Sequence, residues 1–240
     1  MVQGAEKPSS VSDEVWALVE PYLLPDNHPI KKKLDILFSS GRITLNEKTM
    51  IKAKFTDSHA RTNGVIVTRH KKVPGYVLKL YRDDQNGEYE DWNMCYRRCS
   101  GAKLTRETID SLGYGNLLTV PKKWIYCLPD VPACPPGYNQ KHFILVAEEI
   151  LIYDKKKNYK KWKSSWMTQE RLYALFITIK IAGLSDSLVP NNVPISKDGK
   201  IVFIDTEWYN IHPMHLDHTL QFLNPTAKLY WQSLIDQYGY

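Results

Sequence analysis

The chain has 240 residues, 43% of them hydrophobic, enough for one generous domain or two small lobes with a real core and too apolar for a disordered polymer. It has no run of eighteen apolar residues, so no helix is expected to span a membrane, and its opening MVQGAEKPSSVSDE lacks the basic-then-apolar order of a secretory signal. The formal net charge is +6 and the four cysteines form no CxxC pair, which predicts reduced thiols and a cytoplasmic protein, or one exported by a specialised secretion system that needs no such signal.

Residues 1 to 55 read as a helical N-terminal extension, frayed over its first ten polar positions. In SVSDEVWALVEPYLL a Ser/Asp cap precedes Val15, Leu18, Val19 and Tyr22 at helical spacing, which predicts a short helix ended near Pro25. HPIKKKLDILFSS predicts a second helix stopping at Gly41, and TLNEKTMIKAKF a third, opened by Thr44 or Asn46.

The period changes over residues 56 to 150. GVIVTRH and GYVLKLYRD are β-rich and separated by KKVPG, which predicts a hairpin with Lys79 in the middle of its second strand. A lysine there is ordinarily an exposed edge residue. The stretch from Glu88 to Leu112 reads as a long helix closed by the GYGN loop. LLTVPKKWIYCLPD and HFILVAEEILIYD follow as two strands joined by a proline-rich loop, FILVAEE having the continuous apolar character of a central strand.

Residues 151 to 240 read as a second, helical region. The run KKKNYKKWK, Lys155 to Lys163, mixes lysine with Tyr159 and Trp162, a composition suited to tracking phosphates while bases stack. With no zinc finger, helix-turn-helix or aromatic RNA-binding motif nearby, it reads instead as a solvated face, and nucleic acid is not expected as a partner. MTQERLYALFITIKIAGL is the strongest helix, with Leu172, Leu175, Phe176 and Ile179 as its buried stripe and Gly183 as its left-handed stop. The loop SDSLVPNNVPI, the strand KIVFID and a last helix opened by Pro225 complete the chain. Asp205 follows IVFI without a turn residue, so its backbone is expected to be still partly buried, and a buried carboxylate needs a partner or a metal. His212, His215 and His218, spaced by three, would spread around a helix and are not read as a zinc site.

This succession, a hairpin with a central lysine, a helix, a strand ending in Glu148 and Glu149, a long helix, a loop, and a strand ending in Asp205, resembles the protein-kinase-like fold. It is most similar to the atypical and small-molecule kinases whose metal-binding Asp stands in an IDxE context. NVPISKDGKIVFIDTE carries the resemblance most specifically, with 13 positions from Asn192 to Asp205, the interval of that family. The resemblance implies an α+β fold of two lobes, an antiparallel-sheet N-lobe and a reduced helical C-lobe, binding Mg²⁺ and ATP. Clustered phosphate charge calls for Mg²⁺ on hard oxygen ligands, and the resemblance assigns these to Asp205 with Asn192 or Asn191. It assigns Lys79, in a VLKLY run similar to VAIK, to the phosphates and to catalysis, and Glu107 to the helix carboxylate that holds it. It assigns the backbone around Glu148 and Glu149 to the adenine edge, and the catalytic base to Asp186.

Three departures shape the expected function. Asp186 precedes Asn191 by the family's five positions but Asn192 by six, and if Asn191 is the ligand the interval to Asp205 becomes 14. The glycine-rich loop is missing, SHARTNGVIV offering Gly64 alone. Only 35 residues follow Asp205, too few for an activation segment and peptide-docking helices. The expectation is therefore a kinase-like protein that binds Mg-ATP and, if active, transfers phosphate to an acceptor the sequence does not name. The alternative is a pseudokinase-type scaffold that binds a protein partner without catalysis.

Overall fold

The computed structural model describes residues 6–57, 64–85 and 90–239. The fold is α+β. Its helices are α1 (Asp13–Val19), α2 (Lys31–Ser39), α3 (Glu47–Lys52), α4 (Asp91–Ser111), α5 (Lys155–Trp162), α6 (Gln169–Ala182) and α7 (Pro225–Tyr238). Its strands are β1 (Ile66–Thr68), β2 (Tyr76–Leu80), β3 (Leu118–Thr119), β4 (Lys123–Cys127), β5 (Phe143–Glu148) and β6 (Ile201–Val202). The chain divides into two compact units, 1–96 with 122–149, and 97–121 with 150–240. Residues 1 to 55 share a unit with the sheet, and residues 97–121 belong with the second unit.

In the first unit the four-stranded sheet has the order β1-β2-β5-β4, antiparallel throughout. Lys79 lies opposite Val67 on one side and Leu145 on the other, so β2 is an inner strand and the edge-strand reading of this lysine does not hold. β5 is the other inner strand, and Phe143 to Ala147 are buried, which is why its apolar run is unbroken rather than alternating. Of the N-terminal helices, α1 and α3 are held by local capping. Ser12 Oγ accepts the Val15 N–H in α1, and Asn46 with Thr49 forms a reciprocal capping box that opens α3. Leu34, Phe38 and Met50 pack with Ile66, Leu78, Leu80, Ile144 and Val146, so the helices and the sheet bury one another in a single core.

A buried ion pair ties this unit together. Arg42 Nε and Nη2 donate to the two carboxylate oxygens of Asp83 at 2.9 and 2.8 Å, Thr44 Oγ1 donates to Asp83 at 2.7 Å, and the Lys141 N–H does so at 2.7 Å. Arg42 and Asp83 are 8% and 0% exposed, and the four hydrogen bonds donated to Asp83 supply what water would have supplied. At the start of α4 the buried Asp91 carboxylate accepts the N–H groups of His142 and Phe143 at 2.5 and 2.7 Å, fixing the helix against the start of β5.

In the second unit β3 pairs in parallel with β6. The stretch LLTVPKKWIYC, expected as one strand, is two, β3 and β4, in different units. Pro121 stands between them, and its missing N–H cannot continue a ladder. α6 starts at the Thr168 cap and stops at Gly183, whose φ of 61° is left-handed. A side chain at Gly183 would also sit 2.6 Å from the Ile211 nitrogen. Phe176, Ile179, Trp162, Phe203 and Trp231 lie in the core, and the Trp231 indole N–H donates to the Leu216 carbonyl at 2.9 Å. The four cysteines are free thiols, Cys95 and Cys99 buried and Cys127 and Cys134 half-buried.

Candidate active site in the second unit

The hairpin that delivers Asp205 is built from a glycine turn. Ser196 N–H donates to Lys200 O at 2.8 Å around Gly199, whose φ of 89° only glycine adopts without strain. Ile201, Val202 and Phe203 are fully buried, and Phe203 N–H donates to Thr119 O at 2.9 Å. The chain leaves the sheet at Ile204, whose N–H donates to the Asn192 carbonyl at 3.1 Å. Asp205 therefore emerges from a buried strand end with its side chain 25% exposed.

The loop after α6 is fastened to this strand end. Ser187 Oγ donates to Asp205 O at 3.4 Å, Ser185 N–H donates to Trp208 O at 3.2 Å, and Asn192 Nδ2 donates to Asp186 O at 2.8 Å. Asp186, Asn192 and Asp205 are thus brought together, while Asn191, one residue away, is exposed. The Asn loop is braced from α5: the buried Asn158 donates through Nδ2 to Pro190 O at 2.7 Å and accepts the Ile195 N–H on Oδ1 at 3.1 Å. Both ends of one buried amide thereby hold the segment that carries Asn191 and Asn192.

α4 contributes the cation. The Arg98 side chain is 3% exposed; its Nη2 donates to Glu207 Oε2 at 2.5 Å and its Nε lies 3.5 Å from Asp205 Oδ1. The Arg98 carbonyl accepts the Thr206 hydroxyl at 3.0 Å, and Ser100 Oγ donates to the Tyr209 hydroxyl at 2.9 Å. Arg97 donates to Glu207 O at 3.1 Å and stacks 4.5 Å over the Trp208 ring. Burial, and after it the charges of Asp205 and Glu207, push the Asp186 carboxyl above its ordinary range, with Arg98 opposing the shift. Such a carboxylate is more basic than a solvated aspartate and better matched to accepting a proton.

Asp205, Asp186 and the Asn192 side-chain oxygen are hard donors of the kind Mg²⁺ takes. Among the described residues no three His, Cys, Asp or Glu side chains form a metal cluster, the three spaced histidines included. An ion here would take one or two carboxylates and complete its shell with the amide oxygen, water and phosphate, which is the habit of Mg²⁺.

The remaining sequence-predicted residues fall elsewhere. Lys79 is in the sheet of the first unit. Glu107 is 62% exposed on α4 with Lys103 4.0 Å away. The N–H groups of Glu148 and Glu149 already donate to Lys122 O and Gly75 O at 2.9 and 2.8 Å, so these two amides are not open donors for an adenine edge. Residues 58–63, in the stretch where the resemblance puts a phosphate-covering loop, lie outside the described residues. On α5 Trp162 is buried and the Tyr159 ring abuts Phe222 at 5.8 Å, which leaves the lysine run without a free stacking aromatic. Arg98 is the site residue that sequence reasoning missed, because an arginine pair inside a helix carries no signal of the carboxylates it meets.

Comparison of the chain with models of known protein families and with curated proteins finds no match.

Proposed function

We propose that this protein is kinase-like and binds Mg-ATP through its second unit, with phosphotransfer to a hydroxyl acceptor as the reaction. The observation that carries this reading is the set of hydrogen bonds joining Asn192 to Asp186 and to the residue before Asp205. Asn192, rather than Asn191, is the amide ligand under this reading, and Asp205 is its carboxylate partner. A bound Mg²⁺ would neutralise phosphate charge as it shifts toward the leaving oxygen. Asp186 takes the hydroxyl proton of the acceptor as that oxygen bonds to the γ-phosphorus and ADP departs, and its raised proton affinity suits it to this step. Asn158 and Ser187 hold the two loops in position without touching the reacting atoms. An ATP-dependent thermal shift that needs Mg²⁺ and is lost in Asp205→Asn is expected; no shift in the parent protein overturns the reading.

The second reading is a scaffold that binds a protein partner without catalysis. Arg98 favours it, because a guanidinium held at Asp205 and Glu207 competes with a divalent ion for the same oxygens. Multi-turnover ATP consumption abolished by Asp186→Ala disposes of this alternative.

A further inference from the structure

The lysine run of α5 is not used by the proposed site, and its surroundings are unlike those of an ordinary solvated helix. Between residues 150 and 163 stand six lysines and one aspartate. Asn158 and Trp162 form the buried side of α5, while Lys155, Lys156, Lys157, Lys160 and Lys163 are exposed. Immediately ahead of the helix Leu151 is 67% exposed and Ile152 38%. Leu151 is not on a loose end: its carbonyl accepts the Lys197 N–H at 2.8 Å, and Ile152 pairs with Ser196 as an antiparallel bridge. Ile152, Tyr153, Asp154, Lys155, Lys157 and Lys197 line one concavity of about 710 Å³. Asp154, the one acidic side chain of the run, caps the helix through the Lys157 N–H at 2.9 Å.

From this juxtaposition we infer that the Leu151–Ile152 edge and Lys155, Lys157 and Lys197 dock the protein peripherally on an anionic phospholipid bilayer. Exposed aliphatic side chains ringed by lysine suit a surface that is negative at its headgroups and apolar just beneath them. Nucleic acid shares the charge but asks for aromatic platforms, and Trp162 is buried, Tyr159 packs against Phe222, and the half-buried Tyr153 ring already has Lys161 Nζ 4.9 Å from its centroid. The docking surface uses neither Asp186, Asn192 nor Asp205, so it stands whether or not the chain transfers phosphate.

The test is flotation of the full chain with vesicles of phosphatidylcholine alone and with about one third phosphatidylserine. Binding to the anionic vesicles only, weakened by salt, is expected. Each of Lys155→Ala, Lys157→Ala and Lys197→Ala should lower that affinity roughly fivefold, and Leu151→Ser roughly tenfold, with unfolding midpoints unchanged because all four side chains are exposed. No binding, or equal binding to both vesicles, overturns the inference. So does salt-sensitive binding to a single-stranded oligonucleotide that the lysine variants weaken and Leu151→Ser leaves intact, if vesicles are not bound.

Discussion

Gly101 of α4 lies against the carbonyl of Thr206 so closely that an added Cβ would stand 1.9 Å from that oxygen and 2.9 Å from the Tyr209 ring. The helix can reach the Asp205–Glu207 segment only where it has no side chain. Gly101→Ala must therefore push the segment away from Arg98, at a cost of about 3 kcal/mol in chemical denaturation. Gly41→Ala is the control, since nothing lies within 4 Å of a Cβ there, and it should be neutral or stabilising by about 0.5 kcal/mol. Equal effects at the two glycines would contradict this account.

Arg98 is the only cation bonded to the Glu207 side chain among the described residues. Arg98→Met removes the guanidinium from two half-buried carboxylates and should cost about 3 kcal/mol near neutral pH. Chemical denaturation of both proteins reads the difference, and an unchanged midpoint would mean that the guanidinium contributes nothing to stability.

Asp186 should make stability depend on pH. Its carboxyl has a higher pKa folded than unfolded, so its favourable contribution is complete below the unfolded value of about 3.9 and is lost as pH rises through the folded one. Asp186→Asn is therefore expected to melt higher than the parent at neutral pH, with the gain vanishing in acid. If Asp186 is the base, phosphotransfer in the parent falls away on the acid side at a pH above 3.9, and the variant is inactive at every pH. A destabilised Asp186→Asn would rule out like-charge repulsion at this position.

In the first unit, Asp83→Asn keeps the shape of the buried pair but removes the charge that balances Arg42. A cost of about 3 kcal/mol is expected, read as a lowered denaturation midpoint. Asp13→Asn is the surface comparison: Asp13 meets Lys7 at 2.5 Å but is 90% exposed, and its loss should be barely measurable.

Burial, then the nearby Asp130 and Asp91, push the Cys127 thiol up to about 12. Cys134 is raised as well, by burial first, and Cys95 and Cys99 are buried outright. Thiolate is the reactive form, so alkylation of the native protein at neutral pH should be slow at all four positions and complete after denaturation, as counted by mass spectrometry. Rapid labelling of native Cys127 would show that its environment is more open than this.

The elements were legible where the signal is short-range. Asn46, Thr168, Asn224 and Gly183 terminate helices through bonds to residues three or four positions away, and the periodicity around them marks those helices in the bare sequence. The strand end at Asp205 was legible for the same reason: a glycine turn, four apolar residues and an acid. The division of LLTVPKKWIYC into two strands was less so. Pro121 marks a break, but nothing local says that the halves join different sheets.

What the sequence by itself determined is thus the order of the elements, their caps, and the placing of Asp186, Asn192 and Asp205 in a loop and a strand end close in the chain. What only the tertiary structure decided is which groups those residues meet. Arg98 and Glu207 are 109 positions apart, Arg42 and Asp83 are 41, and Lys79 is an inner-strand residue because β5 pairs beside it. Caps and turns are settled by bonds within one helical turn, whereas the partner of a buried charge is settled by chain closure and packing, which leave no local trace.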